Sequence, residues 1–593
     1  MTVFLTDLKS VSFSAICCAV GLVLAVGHAA SQELINGTSD RVVPDAEPIR
    51  LVPSVDSPMK TEKNSNKPKT KTEAAVKLKK LDLVDPDSTG ILDADDGGFK
   101  PGMWAGSSRP LITNLLGLLP KKMTSSSQRQ LFRRLLLTRA DPPVGEQINK
   151  SLLSLRIAAL FDAGDYTSAN KLIDAVGHSN EQYSKIKTEI LFRRHDPKKA
   201  CGIVQGKGED YNAIYWKKAE AYCLAMDGQN EKALLISEIL SEQSGSVEPA
   251  FLVGIEALTG SKTSVLTRIE SFNGLLISLL QSGKVALPDT LPLSSEIGDL
   301  AALAFSEARP PTRRILDGEI AMLGGAITPY QLVGLYKIKK AKNTDLLRVG
   351  DDKKITWNAE NRSFVLQAAL AEALPAKRAR IVERALLLAR LHKTFSLTAL
   401  VMMPVMDEIE PSAELSWFAP WAVRAYAIGG NMIAVRKWRD LISKSSDASV
   451  LPLTVLSGSS ANEIISEKTL HQWYLSREKA DQEELGHQAR LFYSLLQALD
   501  IPVAGSLWSD VINRESIDKP LPMISGVLSL LSDAASRGRV GETVALAIIL
   551  LGEAGTERSN QYAVVQVVKA LNMVGQGEIA RQLALEAAVA AGL

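Results

Sequence analysis

The sequence has few aromatic residues and little of the apolar–polar alternation that β-strands show. Phe, Trp and Tyr together make up 5% of the 593 residues, whereas leucine and alanine are frequent throughout. Leucine and alanine have high helix propensity, while sheets are enriched in β-branched and aromatic side chains. This imbalance argues against a sheet-based fold and predicts an all-α protein.

The chain also lacks an excess of charge of either sign. Its 68 Lys and Arg residues are balanced by 66 Asp and Glu residues, which leaves a formal net charge of +2. Nucleic acids attract proteins that are strongly basic, and this overall balance supplies no such attraction. We therefore expect no nucleic-acid partner.

Motifs of the common catalytic and cofactor sites are missing. There is no Gly-x-Ser-x-Gly nucleophile elbow and no His-Glu-x-x-His zinc motif, and the six histidines are scattered along the chain. The stretch Gly260-Ser261-Lys262-Thr263 departs from the glycine spacing of a phosphate-binding loop. The sequence predicts no catalytic residue, no cofactor and no metal ligand.

The beginning of the chain has the pattern of a targeting segment. Lys9 precedes an apolar stretch at residues 11–26, and Gly27 and Ala29 supply the small side chains of a cleavage site. We expect a signal peptide over residues 1–30 and export to a periplasm. The alternative is a single uncleaved membrane anchor through residues 11–30, a span close to the roughly 20 residues that cross a bilayer.

Cysteine is scarce, with four in the chain. Cys17 and Cys18 lie inside the apolar targeting stretch, which leaves Cys201 and Cys223 for the exported protein. Cys201 falls near the end of one predicted helix and Cys223 lies inside the next, so an oxidising compartment would allow a disulfide between them. Two buried free thiols are the alternative.

Composition divides the rest of the chain into a linker and three helical regions. Residues 31–100 are rich in Pro, Lys and Asp without sustained apolar periodicity, which predicts a disordered linker. Helical periodicity occupies residues 101–285, 295–442 and 460–593, interrupted by one stretch rich in Pro and Leu and one rich in Ser. Trp104, in a glycine-flanked segment, is predicted to dock onto the helices as an N-terminal cap.

Pairs of short helices with a glycine between them recur in these regions. In four pairs an alanine follows the glycine by five residues: Gly164/Ala169, Gly228/Ala233, Gly429/Ala434 and Gly575/Ala580. Glycine tolerates the left-handed conformation that ends a helix, and alanine lets the second helix pack closely on the first. The spacing resembles the tetratricopeptide-type (TPR-like) helical repeat, which implies an irregular α-solenoid of antiparallel helical hairpins. The layout of signal, linker and helices is also similar to exported helical proteins of Gram-negative bacteria, a resemblance that implies no particular activity.

One predicted hairpin gathers a large share of the aromatic residues. They are Trp417, Phe418, Trp421, Tyr426 and Trp438. Aromatic side chains usually pack in a core, but on the concave face of a solenoid they also form peptide- or glycan-binding surfaces. The sequence leaves both interpretations open and makes these five residues the candidate binding surface.

These features predict a non-catalytic interaction scaffold in the cell envelope, periplasmic or tethered to the membrane, with protein partners. The first alternative is a cell-wall glycan-cleaving enzyme of helical-toroid type, whose acid would be a carboxylate such as Glu270 or Glu515. The second alternative is a purely structural spacer. A deep cleft with a buried glutamate favours the enzyme, whereas a concave patch of mixed aromatic and charged side chains favours the scaffold.

Overall fold

A computed structural model describes most of the chain after residue 84. The described residues are 85–147, 151–177, 180–206, 211, 213–244, 247–261, 266, 268–288, 296–341, 356–442, 450–458, 465–477, 482–512 and 525–593. The predicted signal or anchor, residues 1–30, lies outside the described residues, as does the predicted linker up to residue 84.

Secondary structure in the described residues is helical, which confirms the all-α prediction. These residues form 27 α-helices and no β-strand. Two short 3-10 helices, Pro86–Ser88 and Ala413–Leu415, and two isolated β-bridges complete the regular structure within the same ranges. No helix in the described part of the chain is both long and apolar enough to span a bilayer.

The described residues before position 340 form a series of thirteen α-helices. In chain order they are α1 (Arg109–Gly117), α2 (Ser126–Leu137), α3 (Leu152–Asp162), α4 (Tyr166–Val176), α5 (Glu181–Arg193), α6 (Pro197–Gln205), α7 (Ile214–Met226), α8 (Asn230–Ser244), α9 (Pro249–Thr259), α10 (Gly274–Ser282), α11 (Ile297–Phe305), α12 (Pro311–Leu323) and α13 (Pro329–Tyr336).

The helices after residue 355 continue the same pattern. They are α14 (Ala359–Ala371), α15 (Pro375–Leu391), α16 (Phe395–Met406), α17 (Ala419–Gly429), α18 (Met432–Ile442), α19 (Leu451–Leu456), α20 (Glu467–Ser476), α21 (Gln482–Ala498), α22 (Gly505–Ile512), α23 (Ser525–Ser536), α24 (Val540–Leu551), α25 (Gly555–Arg558), α26 (Gln561–Met573) and α27 (Gly577–Ala590).

Polar side chains fix the beginnings of several helices. The Ser125 hydroxyl accepts a hydrogen bond from a backbone N–H in the first turn of α2, and the Asp165 and Asn180 side chains do the same for α4 and α5. An unpaired N–H in the first turn is satisfied in this way, which stabilises a helix by about 1 kcal/mol.

A left-handed glycine follows the first helix of all four predicted hairpins, although in one of them the residue differs from the prediction. Gly164 between α3 and α4 has φ +74°, and Ala169 on α4 is fully buried. In the aromatic hairpin α17 includes Gly429, and it is Gly430 that has φ +73°. The predicted Gly429 is therefore the last helical residue, because only the residue after it has to turn left-handed.

Buried apolar side chains form two clusters in the described residues. The main core draws on residues 99–190 and 301–593. The second core lies within residues 192–303 and includes the fully buried Trp216 and Tyr222. The three predicted helical regions are therefore not three separate cores, because all of them contribute to the main one and residues Leu81–Leu593 form one compact unit.

The C-terminal helices lie at the centre of the main core. Helix α27 packs against α2, α17, α19 and α21 as well as against α26. Ten of its 14 residues are buried, so the amphipathic pattern of a surface helix is absent. Helix α24 packs against α1 and α2, and the beginning and end of the described unit are therefore in contact.

The segment before α2 contacts the opposite end of the chain. The Gly541 N–H donates to the Met103 carbonyl at 2.9 Å. Trp104 is 6% exposed, and its ring lies against Gly541 at the start of α24. Its predicted docking is confirmed, with a C-terminal helix as the partner rather than the neighbouring N-terminal hairpins.

The end of the predicted linker belongs to the folded unit, which corrects the boundary at residue 100. Asp87 is buried, forms an ion pair with Arg109 and accepts a hydrogen bond from the Leu153 N–H at 2.9 Å. Phe99 is buried beneath Arg134, whose guanidinium carbon lies 4.3 Å from the ring centroid. Composition could not reveal these contacts, because every partner lies beyond residue 100.

Candidate functional site

Three of the five aromatic residues proposed as a binding surface lie in the core. Phe418 and Trp438 are buried and meet edge-on, with their ring centroids 5.5 Å apart. Tyr426 is buried as well, and its hydroxyl donates to the Asp407 carboxylate at 3.0 Å. These side chains hold α17 and α18 in place, so they cannot contact a ligand.

The other two aromatic residues, Trp417 and Trp421, remain partly exposed, and an arginine guanidinium group lies over each ring. The Arg380 guanidinium carbon lies 3.6 Å from the ring centroid of Trp417, and that of Arg424 lies 5.7 Å from the ring centroid of Trp421. Both tryptophans pack on the main core with one part of the ring. Cation–π contact orders each guanidinium group over its ring.

A basic cavity continues the surface beyond Trp421. Its volume is about 430 Å³, and Arg390, Lys393 and Arg424 contribute three positive charges to its lining. The one carboxylate in the lining, that of Glu557, accepts a hydrogen bond from Ser396. Positive charge therefore exceeds negative charge in this cavity.

Backbone oxygens hold two of these arginines in position. The Arg390 Nη2 donates to the Gly592 carbonyl oxygen at 2.9 Å, and the Arg424 Nε donates to the Leu593 backbone oxygen at 3.0 Å. Burial, followed by the charge of nearby Arg390, lowers the pKa of Arg477. Arg390 and Arg477 thus lie close enough for the repulsion between their charges to lower a pKa.

The cations of this surface were missed by sequence reasoning. Residues 377–393 contain six Lys or Arg residues against the single Glu383, a local excess that the balanced overall charge conceals. That excess is a readable signal for Arg380, Arg390 and Lys393. Arg424 could not have been found, because it belongs to another helix that approaches only in the folded chain.

The two cysteines of the predicted disulfide are brought together. The Sγ atoms of Cys201 on α6 and Cys223 on α7 lie 2.03 Å apart, joined as a disulfide. Both residues are buried in the second core. The bridge therefore links the helices that build this core.

Two further cavities lie away from the candidate surface. One, of about 690 Å³, has Arg133, Asp165, Arg193, Arg194 and His195 among its lining residues. The Arg133 Nε and the Asp165 carboxylate pair with each other at 2.6 Å, and Arg193 pairs with the buried Glu189 and Asp299. Burial lowers the pKa of His195, so this imidazole is neutral near pH 7. The other, of about 680 Å³, is lined by amide and hydroxyl side chains together with the cations Arg490 and Lys569.

Buried glutamates in the described residues serve the packing of helices. Four such residues lie outside the lining of these three cavities: Glu189, Glu319, Glu542 and Glu586. Each has a cation or a hydrogen-bond donor against its carboxylate. Glu270 of the first Glu-Ser pair is exposed, and Glu515 of the second lies outside the described residues.

Comparison with known proteins leaves the surface to be interpreted from its own residues. No protein-family model, no curated protein and no solved structure matches the chain. No group of three or more His, Cys, Asp and Glu side chains within the described ranges is arranged to hold a metal ion.

Proposed function

We propose that this protein is a non-catalytic scaffold that binds protein partners. The observation that carries the proposal is the surface on which Trp417 and Trp421, each in contact with an arginine, lie beside a cavity lined by three cations. Tryptophan and arginine are the side chains most enriched among residues that dominate protein–protein binding energy. A rigid helical body supports them, because their neighbours Phe418 and Trp438 are buried.

The scaffold is an irregular solenoid of TPR-like antiparallel hairpins whose two ends pack on each other. Support for the hairpins comes from the close packing of successive helices such as α7 with α8, α11 with α12 and α26 with α27. Support for the packing of the two ends on each other comes from the contacts of α1 and α2 with α24 and of α2 with α27. A closed array holds its surface in one shape, which suits an assembly platform.

The proposed location is a periplasm, with the chain either released by signal cleavage or tethered through residues 11–30. Support comes from the targeting pattern at the beginning of the chain. The Cys201–Cys223 bridge is compatible with it, because disulfides persist in oxidising compartments. A cell-envelope assembly is the class of partner that this location supplies.

Binding is favoured over glycan hydrolysis by the placement of the carboxylates. A glycan-cleaving enzyme needs an acid facing a cleft, often with a raised pKa. Burial raises the pKa of Glu586, but this side chain lies inside the main core, where it accepts hydrogen bonds from Ser125 and Ser126 at the start of α2. Its role is therefore to hold helices together.

The test is an affinity capture of the tagged full chain from a crosslinked envelope fraction, with mass spectrometry of the captured proteins. The test variant replaces Trp417 and Trp421 with alanine, and the matched control replaces Tyr562, an aromatic residue 52% exposed on α26. We expect a defined set of envelope proteins with the wild type and the control, and its loss with the test variant. Capture that is identical in all three, or of glycan fragments alone, contradicts the proposal.

A further inference from the structure

One face of α15 combines positive charge with exposed leucines. Lys377, Arg380, Arg384, Leu387 and Leu391 follow one another at spacings of three or four residues, so they lie on the same side of the helix. Leu387 is 44% exposed and Leu391 is 78% exposed. The basic residues occupy the first half of this face, and the leucines occupy the second half.

Arg380 of this face and the neighbouring Arg390 place α15 beside α17. Arg380 contacts Trp417 near the beginning of α15, while Arg390 and Arg424 line the same cavity near its end. The two contacts are ten residues apart on α15, or about 15 Å along its axis. Between them α16 packs against both helices, so α15 and α17 form the two sides of a groove with α16 beneath it.

Part of the positive charge in and just after α15 lies outside the ion pairs of the described residues. Arg380 pairs with Glu383 at 3.0 Å and Arg378 with Glu408 at 2.9 Å. In each pair one of the two side chains is exposed to solvent, which screens the attraction. Within the described part of the chain, neither Lys377 nor Lys393 is in an ion pair. Their positive charge is therefore available to an external anion.

We propose that the groove between α15 and α17 binds an acidic protein segment that carries apolar side chains. The inference rests on the proposed scaffold function and specifies the partner's chemistry. Carboxylates of the segment lie against Lys377 and Arg380 at one end and enter the cavity of Arg390, Lys393 and Arg424 at the other. Its apolar side chains cover Leu387 and Leu391.

The leucines and the cavity select a protein segment over the other polyanions of an envelope. An acidic polysaccharide supplies carboxylates but no apolar side chains to cover Leu387 and Leu391. An anionic membrane would contact exposed leucines and lysines, but a lipid surface does not enter a cavity of about 430 Å³ lined by residues of α15, α16, α17, α25 and α27. Both remain as outcomes of the test.

The first experiment measures binding of fluorescein-labelled peptides of about 20 residues, long enough to cover the face as a helix of about 30 Å. One peptide has Glu and Leu at helical spacing, a second has Ser in place of Leu, and a third has Lys in place of Glu. Fluorescence anisotropy with the full chain gives the dissociation constants. We expect the Glu/Leu peptide to bind at least tenfold more tightly than either of the others, and to weaken as salt is added.

Variants locate the site. Lys377→Glu with Lys393→Glu is expected to weaken binding of the Glu/Leu peptide at least tenfold, and Leu387→Ser with Leu391→Ser at least threefold. The matched controls are Lys171→Glu with Lys232→Glu, two exposed lysines elsewhere, and Leu235→Ser, a leucine 56% exposed on α8. These controls should leave the dissociation constant within twofold of wild type.

Three outcomes overturn the inference. The first is equal binding of the Glu/Leu and Glu/Ser peptides, and the second is binding to a polyuronate that does not change when Leu387 and Leu391 are replaced. The third is binding to phosphatidylglycerol vesicles in the absence of peptide binding. If the capture experiment still returns envelope proteins in any of these cases, the scaffold stands and only the partner's chemistry is wrong.

Discussion

At the scale of single residues, buried carboxylates join helices that are distant in sequence. Glu586 on α27 is 2% exposed and accepts hydrogen bonds from the Ser125 hydroxyl at 2.6 Å and the Ser126 N–H at 2.8 Å. It thereby closes the beginning of α2 with a residue from the opposite end of the chain. Burial nonetheless raises the pKa of Glu586, because removal from water costs the charged form more than these bonds return.

The raised pKa predicts a specific pH dependence. Because the folded pKa of Glu586 lies above its unfolded value of about 4.3, the folded state binds more protons between the two values. Stability from this group is therefore present at acidic pH and is lost as pH rises through the folded pKa. We expect Glu586→Gln to remove this slope, so that the variant gains stability relative to wild type as the pH rises above the unfolded pKa of about 4.3.

Urea denaturation of both proteins at several pH values checks this prediction. The difference between the two midpoints is the informative quantity, since other carboxyl groups titrate equally in both. A difference that does not change with pH would show that Glu586 keeps an ordinary pKa in the folded protein.

A second residue-scale prediction concerns the buried pair of Arg362 and Glu319. The Arg362 Nη2 donates to Glu319 at 2.6 Å, and the Tyr336 hydroxyl donates to the same carboxylate at 2.6 Å. Arg362→Met leaves this carboxylate without its cation, which should cost about 3–5 kcal/mol. Adding Glu319→Gln should recover part of the loss, because an amide oxygen still accepts from Tyr336 and no lone charge stays buried.

Chemical denaturation of the single and double variants measures both effects. A double variant no more stable than the single one would contradict the argument that an unpaired buried charge causes the loss.

At the scale of elements, α24 is held by close contact with the segment before α1. A Cβ added at Gly541, the second residue of α24, would lie 2.5 Å from the Trp104 ring. Real Cβ contacts are not this short, so Gly541→Ala should displace Trp104 and expose the segment around it. Gly526 is the second residue of α23, and a Cβ there meets nothing within 4 Å.

The two glycines form a matched pair for a stability test. We expect Gly541→Ala to cost about 1–3 kcal/mol by overpacking and to raise hydrogen exchange around Trp104. Gly526→Ala should be neutral or stabilising by up to about 1 kcal/mol, since alanine is the better helix former. Equal effects of the two substitutions would mean that Trp104 does not pack on α24.

The disulfide gives a second prediction at the scale of elements. Cys201 and Cys223 are separated by 22 residues, a loop whose closure constrains the unfolded chain by about 3 kcal/mol. Dithiothreitol should therefore lower the denaturation midpoint of the wild type. Cys201→Ala with Cys223→Ala, the control, should start at the lower midpoint and not respond to the reductant.

Peptide mapping without reduction identifies the bridge directly. Free thiols at both positions, together with a wild type insensitive to dithiothreitol, would contradict the linkage of α6 and α7.

At the scale of the whole molecule, α27 connects parts of the unit that an open array would keep separate. In an open solenoid each repeat contacts only its neighbours, so damage at one end stays at that end. Here α27 packs against α2 and α17 as well as α26. We expect Leu583→Ala, at a fully buried position on α27, to cost about 3 kcal/mol and to lower hydrogen-exchange protection in α2 and α17 too.

Hydrogen exchange with peptide resolution measures this spread. The second core provides an internal control, because residues 192–303 pack among themselves and should keep their protection. Loss of protection confined to α26 and α27 would show that the ends of the unit behave as independent repeats.

The sequence by itself determined the all-α class, because helix propensity and apolar periodicity are local properties of the chain. It also indicated the left-handed turn at Gly164, because a glycine between two helical segments can adopt that conformation without steric strain. The docking of Trp104 was predicted as well, because a large apolar ring outside the helices gains free energy by packing on them. The turn predicted at Gly429 lies one residue later, at Gly430, because either of two adjacent glycines can adopt the left-handed conformation.

Only the tertiary structure decided which aromatic residues of the candidate surface are exposed and what surrounds them. Phe418 and Trp438 are buried by α17 and α18 packing on the main core, while Trp417 meets Arg380 from another helix. The inclusion of residues 85–100 in the fold and the contact between α2 and α27 have the same origin. In each case the partner lies tens to hundreds of residues away, and local composition and periodicity carry no information about such contacts.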